Sequence, residues 1–199
     1  MSPEREAYID TRVPLGVRSK QLRVDSEGLS WGDEFVDFDR VTALAYWWEK
    51  VAIKGMDFGI AYRVELYTGE KRTRVFFGGR EDFFRGLFEE IVAALHARVV
   101  SRLAREVLAR VDRGEEVEVA RLRFSREGLS RKGRIFGLKQ VPWSAVLGFR
   151  PMSDPWGVQI LASDSEGGER VIAGGVFRLR NGALVPTLVR ACIDRYSGR

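Results

Sequence analysis

The sequence predicts an α+β chain in which one β-rich module is used twice in tandem. Each copy reads as a β-barrel or curled antiparallel sheet closed by a C-terminal helix, the first helix being long. Three observations predict this. Leu22-Arg23-Val24-Asp25-Ser26-Glu27-Gly28-Leu29-Ser30 returns 100 residues later as Leu122-Arg123-Phe124-Ser125-Arg126-Glu127-Gly128-Leu129-Ser130, with six of the nine positions identical. Three further blocks keep the same order: Val36 to Val41 against Val141 to Val146, Phe58-Gly59-Ile60 against Trp156-Gly157-Val158, and Val75-Phe76-Phe77-Gly78-Gly79 against Val171-Ile172-Ala173-Gly174-Gly175. Each double glycine, expected as a turn, is followed by apolar residues at helical spacing.

Behind a flexible N-terminus over residues 1–11, the first copy spans 12–112 and the second 113–199. Leu22 to Asp25 and Gly28 to Trp31 read as a hairpin whose glycine can take the positive φ of a tight turn. Val41 to Trp48, Ile60 to Tyr67 and Thr73 to Phe77 are rich in β-branched and aromatic residues and read as strands. Ile60, Tyr62, Val64 and Leu66 recur at period two, which gives that strand one apolar face. Thr68-Gly69-Glu70 reads as a turn. The second copy repeats the plan with strands over Ala120 to Phe124, Gly128 to Lys132, Leu138 to Trp143, Val146 to Phe149, Val158 to Ala162 and Arg170 to Ala173.

From Glu81 to Asp112 the residues Phe84, Phe88, Ile91, Leu95, Val99, Leu103, Val107 and Val111 step by three or four. A helix of that length spans roughly 48 Å, more than one small barrel covers. It either caps the first copy and runs on toward the second, or kinks near Val100-Ser101. Gly114 ends the pattern, as expected just past a helix C-terminus. The last helix starts either at Asn181-Gly182, where Asn is a good N-cap, or at Pro186, where proline costs no internal bond.

Composition bounds the function. The chain has 199 residues, of which 45% are hydrophobic and 31% charged. That is enough for two packed domains of about 100 residues each. No apolar run approaches the roughly 18 residues that span a bilayer. The polar start Met1-Ser2-Pro3-Glu4-Arg5-Glu6 has no signal-peptide core. A cytoplasmic protein, peripheral to the membrane at most, is the expectation. The single cysteine, Cys192, falls on a helical apolar stripe with Val185, Leu188, Val189 and Ile193, as a buried hydrophobe does. The single histidine, His96, lies inside the long helical pattern. One His and one Cys cannot make the usual zinc sets. No nucleophile elbow, phosphate-cradling loop or dinucleotide fingerprint is present. Glu89-Glu90 and Glu115-Glu116 are neighbours in sequence, not carboxyls converging on a cleft. No catalytic residue, metal site or cofactor is expected.

Short antiparallel strands closed by one amphipathic helix are the plan of the pleckstrin-homology-like (PH-like) barrel. The run from Gly114-Glu115 through Val117 and Val119, then Gly128-Leu129-Ser130, then Val141-Pro142-Trp143-Ser144, and later Asn181 ahead of the last helix, resembles an uncharacterised bacterial family of tandem PH-like proteins. The resemblance covers about residues 12 to 197 and implies a fold without a mechanism. PH domains of eukaryotes usually carry a tryptophan in the closing helix. Here Trp31, Trp47, Trp48, Trp143 and Trp156 all fall in strands or loops, a departure that weighs against carrying over phosphoinositide recognition.

Charge is uneven. Residues 1–112 hold 18 Lys and Arg against 19 Asp and Glu, net −1, while residues 113–199 hold 15 against 9, net +6. Much of the excess lies in Arg121, Arg123, Arg126, Arg131, Lys132, Arg134 and Lys139, the candidate anionic-ligand residues. Several of them fall in a turn, Arg131 to Gln140, that is five residues longer than its counterpart. In PH-like proteins a basic loop between early strands is a recurrent headgroup site. The bland account is a set of solvated strand and loop charges. Ile135-Phe136-Gly137-Leu138 is an apolar tip among these charges, read as strand and alternatively as an inserting wedge.

The expected function is a non-catalytic, cytosolic protein-binding module that uses strand edges or the groove beside each helix. The alternative is peripheral binding to anionic membrane lipid through the basic stretch. Nucleic acid is disfavoured, because no recognised motif accompanies the charge. Pairing of two chains through unfilled parts of the long helix's stripe is another way to bury its residues.

Overall fold

The computed structural model describes residues 8–15, 18–54, 56–79, 82–131, 140–153, 156–164, 167–174 and 177–198. The chain divides into two compact units, Met1–Val100 and Ser101–Arg199. Both are α+β and built on antiparallel sheets.

In the first unit β1 (Ile9–Leu15), β2 (Arg18–Val24), β3 (Gly28–Trp31) and β4 (Glu34–Asp37) form a four-stranded meander. A 3-10 turn over Phe38–Arg40 leads into a three-stranded meander of β5 (Ala43–Ile53), β6 (Met56–Thr68) and β7 (Lys71–Gly79), followed by α1 (Asp82–Leu95). Period-two patterning puts Tyr62, Val64 and Leu66 of β6 in the core with Val75 and Phe77 of β7. The stripe of α1 buries Phe84, Leu87, Phe88, Ile91 and Leu95, with the Phe88 ring 4.9 Å from that of Tyr62. Among the described residues no pairing joins the two sheets. The strands therefore form open antiparallel sheets and not the closed barrel that was one of the two expected forms.

The second unit opens with α2 (Ser101–Asp112), which packs on the unit's first strand and on its last helix. Then β8 (Val117–Val119), β9 (Leu122–Phe124), β10 (Gly128–Arg131) and β11 (Val141–Pro142) form a four-stranded meander. A 3-10 turn over Trp143–Ala145 leads into β12 (Val146–Ser153), β13 (Trp156–Ser163) and β14 (Glu169–Gly174), and α3 (Val185–Tyr196) closes the unit. The two units repeat one order of elements, and the repeat extends to register. Val24 pairs with Leu29 and Phe124 with Leu129; Arg23 pairs with Ser30 and Arg123 with Ser130. Gly28 stands opposite Asp37 and Gly128 opposite Pro142, so the offset grows from 100 to 105 between the third and fourth strands of the unit. Both hairpins are closed by a short side chain at the same place. The Asp25 carboxylate accepts the Glu27 and Gly28 amides at 2.9 and 3.0 Å, and the Ser125 hydroxyl accepts those of Glu127 and Gly128 at 3.2 and 3.3 Å.

Some elements differ from expectation, each for a local reason. β1 starts at Ile9, inside the segment read as a loose terminus. Only Ile9 and Val13 face the core there, too sparse a pattern to register. Gly78-Gly79 is not a turn but the end of β7, opposite Ala61 and Ile60. A Cβ on Gly78 would lie 2.3 Å from the Ile60 carbonyl, and one on Gly79 2.6 Å from the Phe84 ring. Gly174 likewise belongs to β14, while Gly175 lies outside the described residues. Ala120-Arg121 is a two-residue hairpin turn with φ of 51° and 68°, not strand; a turn of this kind needs positive φ at both positions, and neither residue advertises it. Trp143 opens a 3-10 turn instead of ending a strand. Pro186 stands in the first turn of α3, behind a 3-10 turn over Gly182–Leu184. The apolar tip Ile135-Phe136-Gly137-Leu138 lies outside the described residues.

The long helical pattern is carried by α1, a π turn over His96–Val100, and α2. The division between units falls inside it, after Val100. A π turn inserts an extra residue per turn and shifts the buried stripe, so Val99 and Val100 are both buried. Gly114, at φ 87°, ends the helix as expected. His96 Nε2 lies 2.5 Å from the Tyr46 hydroxyl, and burial holds this imidazole below the ordinary histidine range. The folded chain therefore binds the proton more weakly than the unfolded one. The stability contributed by the neutral ring is complete above the unfolded value of about 6.5 and is lost as pH falls below it. Urea unfolding of the first unit is expected to become easier with each step of acidification below that value. His96→Gln should flatten that part of the profile, and an identical profile for the two proteins would contradict the assignment.

Candidate ligand-binding sites of the second unit

The basic stretch does not form one surface. Arg121 is exposed in the β8–β9 turn. Arg123 projects from the solvent face of β9 opposite Ser130, its guanidinium 3.9 Å from Glu116. Arg126 is exposed in the β9–β10 turn, at the other end of a three-residue strand. Arg131 closes β10 opposite Leu122 and so shares an end of the sheet with Arg121. Lys132, Arg134 and Lys139 lie outside the described residues. The position of Arg131 is taken in the first unit by Trp31, which is buried there with the Lys20 ammonium 5.5 Å from its ring.

Arg121 gains a neighbour that the sequence did not suggest. The β8–β9 turn and the segment ahead of α3 enclose a cleft of about 430 Å³ lined by Glu118, Arg121, Leu179, Arg180 and Asn181, among others. Ala120, Arg121 and Asn181, with φ between 51° and 68°, all adopt the left-handed conformation there. Two arginines from segments almost sixty residues apart thus line one cleft, together with Glu118; guanidinium groups are the forked donors that carboxylates and phosphates take. Only the fold sets Arg180 and Arg121 on one cleft; no local pattern around Leu179-Arg180-Asn181 marks it.

A second concavity runs beside the closing helix. It measures about 320 Å³ and is lined by Phe149 of β12 and by Pro186, Thr187, Arg190, Ala191 and Asp194 of α3. The spacing of the helix residues by three and four places them on one face. The Arg190 guanidinium lies 5.8 Å from the centre of the half-buried Phe149 ring. Among the described residues β12 is an edge of its sheet and pairs with β13 alone within it. Pro151 within it has no N–H to give, which only an edge strand tolerates. A bulge at Leu147 leaves that side chain about half exposed. In the first unit the counterpart face is filled: Leu44 and Tyr46 of β5 are buried, and Tyr46 meets Phe88 edge-on at 6.3 Å.

Cys192, Glu89, Asp112 and Glu115 are each occupied in packing or pairing. Cys192 is buried in α3, and burial pushes its thiol up to about 12. The Arg110 and Arg113 guanidinium groups hold Glu115 below the usual carboxylate range. Glu89 pairs with Arg85 at 3.0 Å. Asp112, at the end of α2, accepts from the Tyr196 hydroxyl and from Arg195 of α3, and both contacts lower its pKa. Among the described residues no three His, Cys, Asp or Glu side chains come together as a metal site, and no helix is long and apolar enough to cross a membrane. No protein-family model matches the chain, and no curated protein matches it.

Proposed function

We propose that the chain is a tandem PH-like binding module, non-catalytic and cytoplasmic, whose second unit seats an extended protein segment in the groove between β12 and α3. Support comes from the order of elements in both units: four antiparallel strands, three antiparallel strands, then a helix. The observation that carries the reading is the open groove with a half-buried phenylalanine beside an edge strand. A bound segment would add its backbone to β12. It would lay an apolar side chain on Phe149 and Ala191, and place an acidic group at Arg190 and a basic one at Asp194, one helical turn on.

A second reading, attachment to anionic membrane through the basic end of the unit, is favoured by the cleft holding Arg121 and Arg180. One experiment separates them. Peptides selected from a random display library on the intact protein are expected to lose at least about tenfold in affinity on Phe149→Ala or Arg190→Glu, and to keep it on Arg121→Glu with Arg180→Glu. Co-sedimentation with phosphatidylserine vesicles, absent with neutral ones, weakened by salt and abolished by Arg121→Glu with Arg180→Glu, would favour the membrane instead. Peptides indifferent to both groove substitutions would end the groove reading.

A further inference from the structure

We infer that the first unit carries a separate docking surface on the outer face of β5, β6 and β7, for a short acidic segment with an aromatic or aliphatic anchor. The register places Trp47, Arg63 and Phe76 in one row across the three strands. The Arg63 guanidinium lies 5.8 Å from the Trp47 ring centre and 5.1 Å from that of Phe76, and it is held by Glu49 at 2.7 Å. The neighbouring row sets Glu65 between Arg74 at 3.2 Å and Arg72 at 3.6 Å. Between the rows lies a concavity of about 320 Å³ floored by β6 and β7. Phe76 is 48% exposed and forms part of that concavity. Rings and guanidinium planes already locked against each other lose little freedom when a partner arrives, and Trp, Phe and Arg are the residue types that dominate interface cores.

The duplication supplies an internal contrast. On the corresponding sheet of the second unit Arg150 bonds Gln159 of the facing strand at 2.7 Å and reaches Glu169 of β14 at 3.3 Å, and the place of Phe76 in the repeat is taken by Ile172, which is buried. The aromatic row is thus a property of one copy and not a requirement of the fold.

Size and charge select the occupant. Three strands spaced about 4.8 Å apart, with three or four outward positions each, offer roughly 300 Å², well short of the roughly 800 Å² per partner in a stable dimer. Ala43 and Ala45 at the same face of β5 are already buried, which narrows it further. A short segment fits where a second copy does not. Arg63, Arg72 and Arg74 against Glu49 and Glu65 leave one positive charge in excess, set on the edge strand β7 beside the exposed ring, so an acidic residue next to an apolar one is complementary.

The probe is a fluorescent pentapeptide of four glutamates around a central phenylalanine, titrated into the full chain by anisotropy at low salt, with a lysine-flanked and an alanine-centred peptide as controls. The acidic phenylalanine peptide is expected to bind at least about tenfold tighter than either control and to lose about tenfold on Arg74→Glu or Phe76→Ala, while Arg150→Ala leaves it unchanged. Circular dichroism verifies that the variants fold. Equal binding of the three peptides, or indifference to both substitutions, overturns the inference. So does a dimer that Phe76→Ala dissociates, or oligo(dT) binding at this face in place of the peptide.

Discussion

Alanine at Gly28 or at Gly128 is expected to cost its own unit about 3 kcal/mol or more. Neither glycine has a positive φ, so backbone conformation is not the obstacle. The obstacle is the next strand. A Cβ at Gly28 would lie 2.3 Å from the Val36 carbonyl oxygen, and one at Gly128 2.2 Å from that of Val141, closer than real Cβ atoms approach. Side chains can swing away from such a contact, as the exposed Phe35 ring can at the first site. A carbonyl in a paired strand cannot move without breaking its ladder. Gly69→Ala is the control: nothing stands within 4 Å of its Cβ, and only the left-handed φ of 65° resists alanine, a cost of about 1 to 2 kcal/mol. Urea titrations of the intact chain would rank the three. If either Gly28→Ala or Gly128→Ala fell within about 1 kcal/mol of the parent, the equivalence of the two hairpins would fail, since both units depend on the same close approach.

This clash also marks what the sequence could and could not reveal. Gly28 and Gly128 stood inside the nine-residue block that exposed the duplication, and the block survives as a shared register because identical strand pairing needs the same small residue in the same place. The apolar stripe of α1 was legible for a similar reason: Phe84, Phe88, Ile91 and Leu95 repeat at the helical period and are all buried. The π turn was not legible. Both Val99 and Val100 are apolar, so a stripe that slips by one residue looks like a stripe that widens. The β8–β9 turn was equally hidden, because Ala120 and Arg121 hold positive φ without glycine or asparagine to announce it. The candidate sites fared worse. Charge density along the chain grouped Arg121 with Arg126 and Arg131, but a three-residue strand sends the first two to opposite ends, and Arg121 lines a cleft with Arg180 instead. The Trp47, Arg63 and Phe76 row depends on cross-strand register over three strands, which local patterning does not encode.

Trp143→Ala is expected to destabilise the second unit by about 3 to 5 kcal/mol while leaving the first unit's protection intact. The indole is 1% exposed, lies nearly parallel to the Phe124 ring with centres 6.1 Å apart, and donates from Nε1 to the Ser125 carbonyl at 2.8 Å. Trp143→Phe keeps much of the ring contact but strips that carbonyl of its indole donor, so it should cost less, about 1 to 3 kcal/mol. Hydrogen exchange read by mass spectrometry separates the units: amides of β12 and β13 should lose protection and those of β5 and β6 keep it, because each compact unit holds its own core. Simultaneous loss in both would mean that the cores are not independent. The effect reaches the groove as well. Trp143 opens the 3-10 turn that feeds directly into β12, and α3 packs on that same turn. The turn that this buried ring anchors thus adjoins both walls of the groove. A peptide seated on Phe149 and Arg190 should therefore bind more weakly to a folded Trp143→Phe protein, although the side chain itself never touches it. Unchanged affinity would place the binding elsewhere.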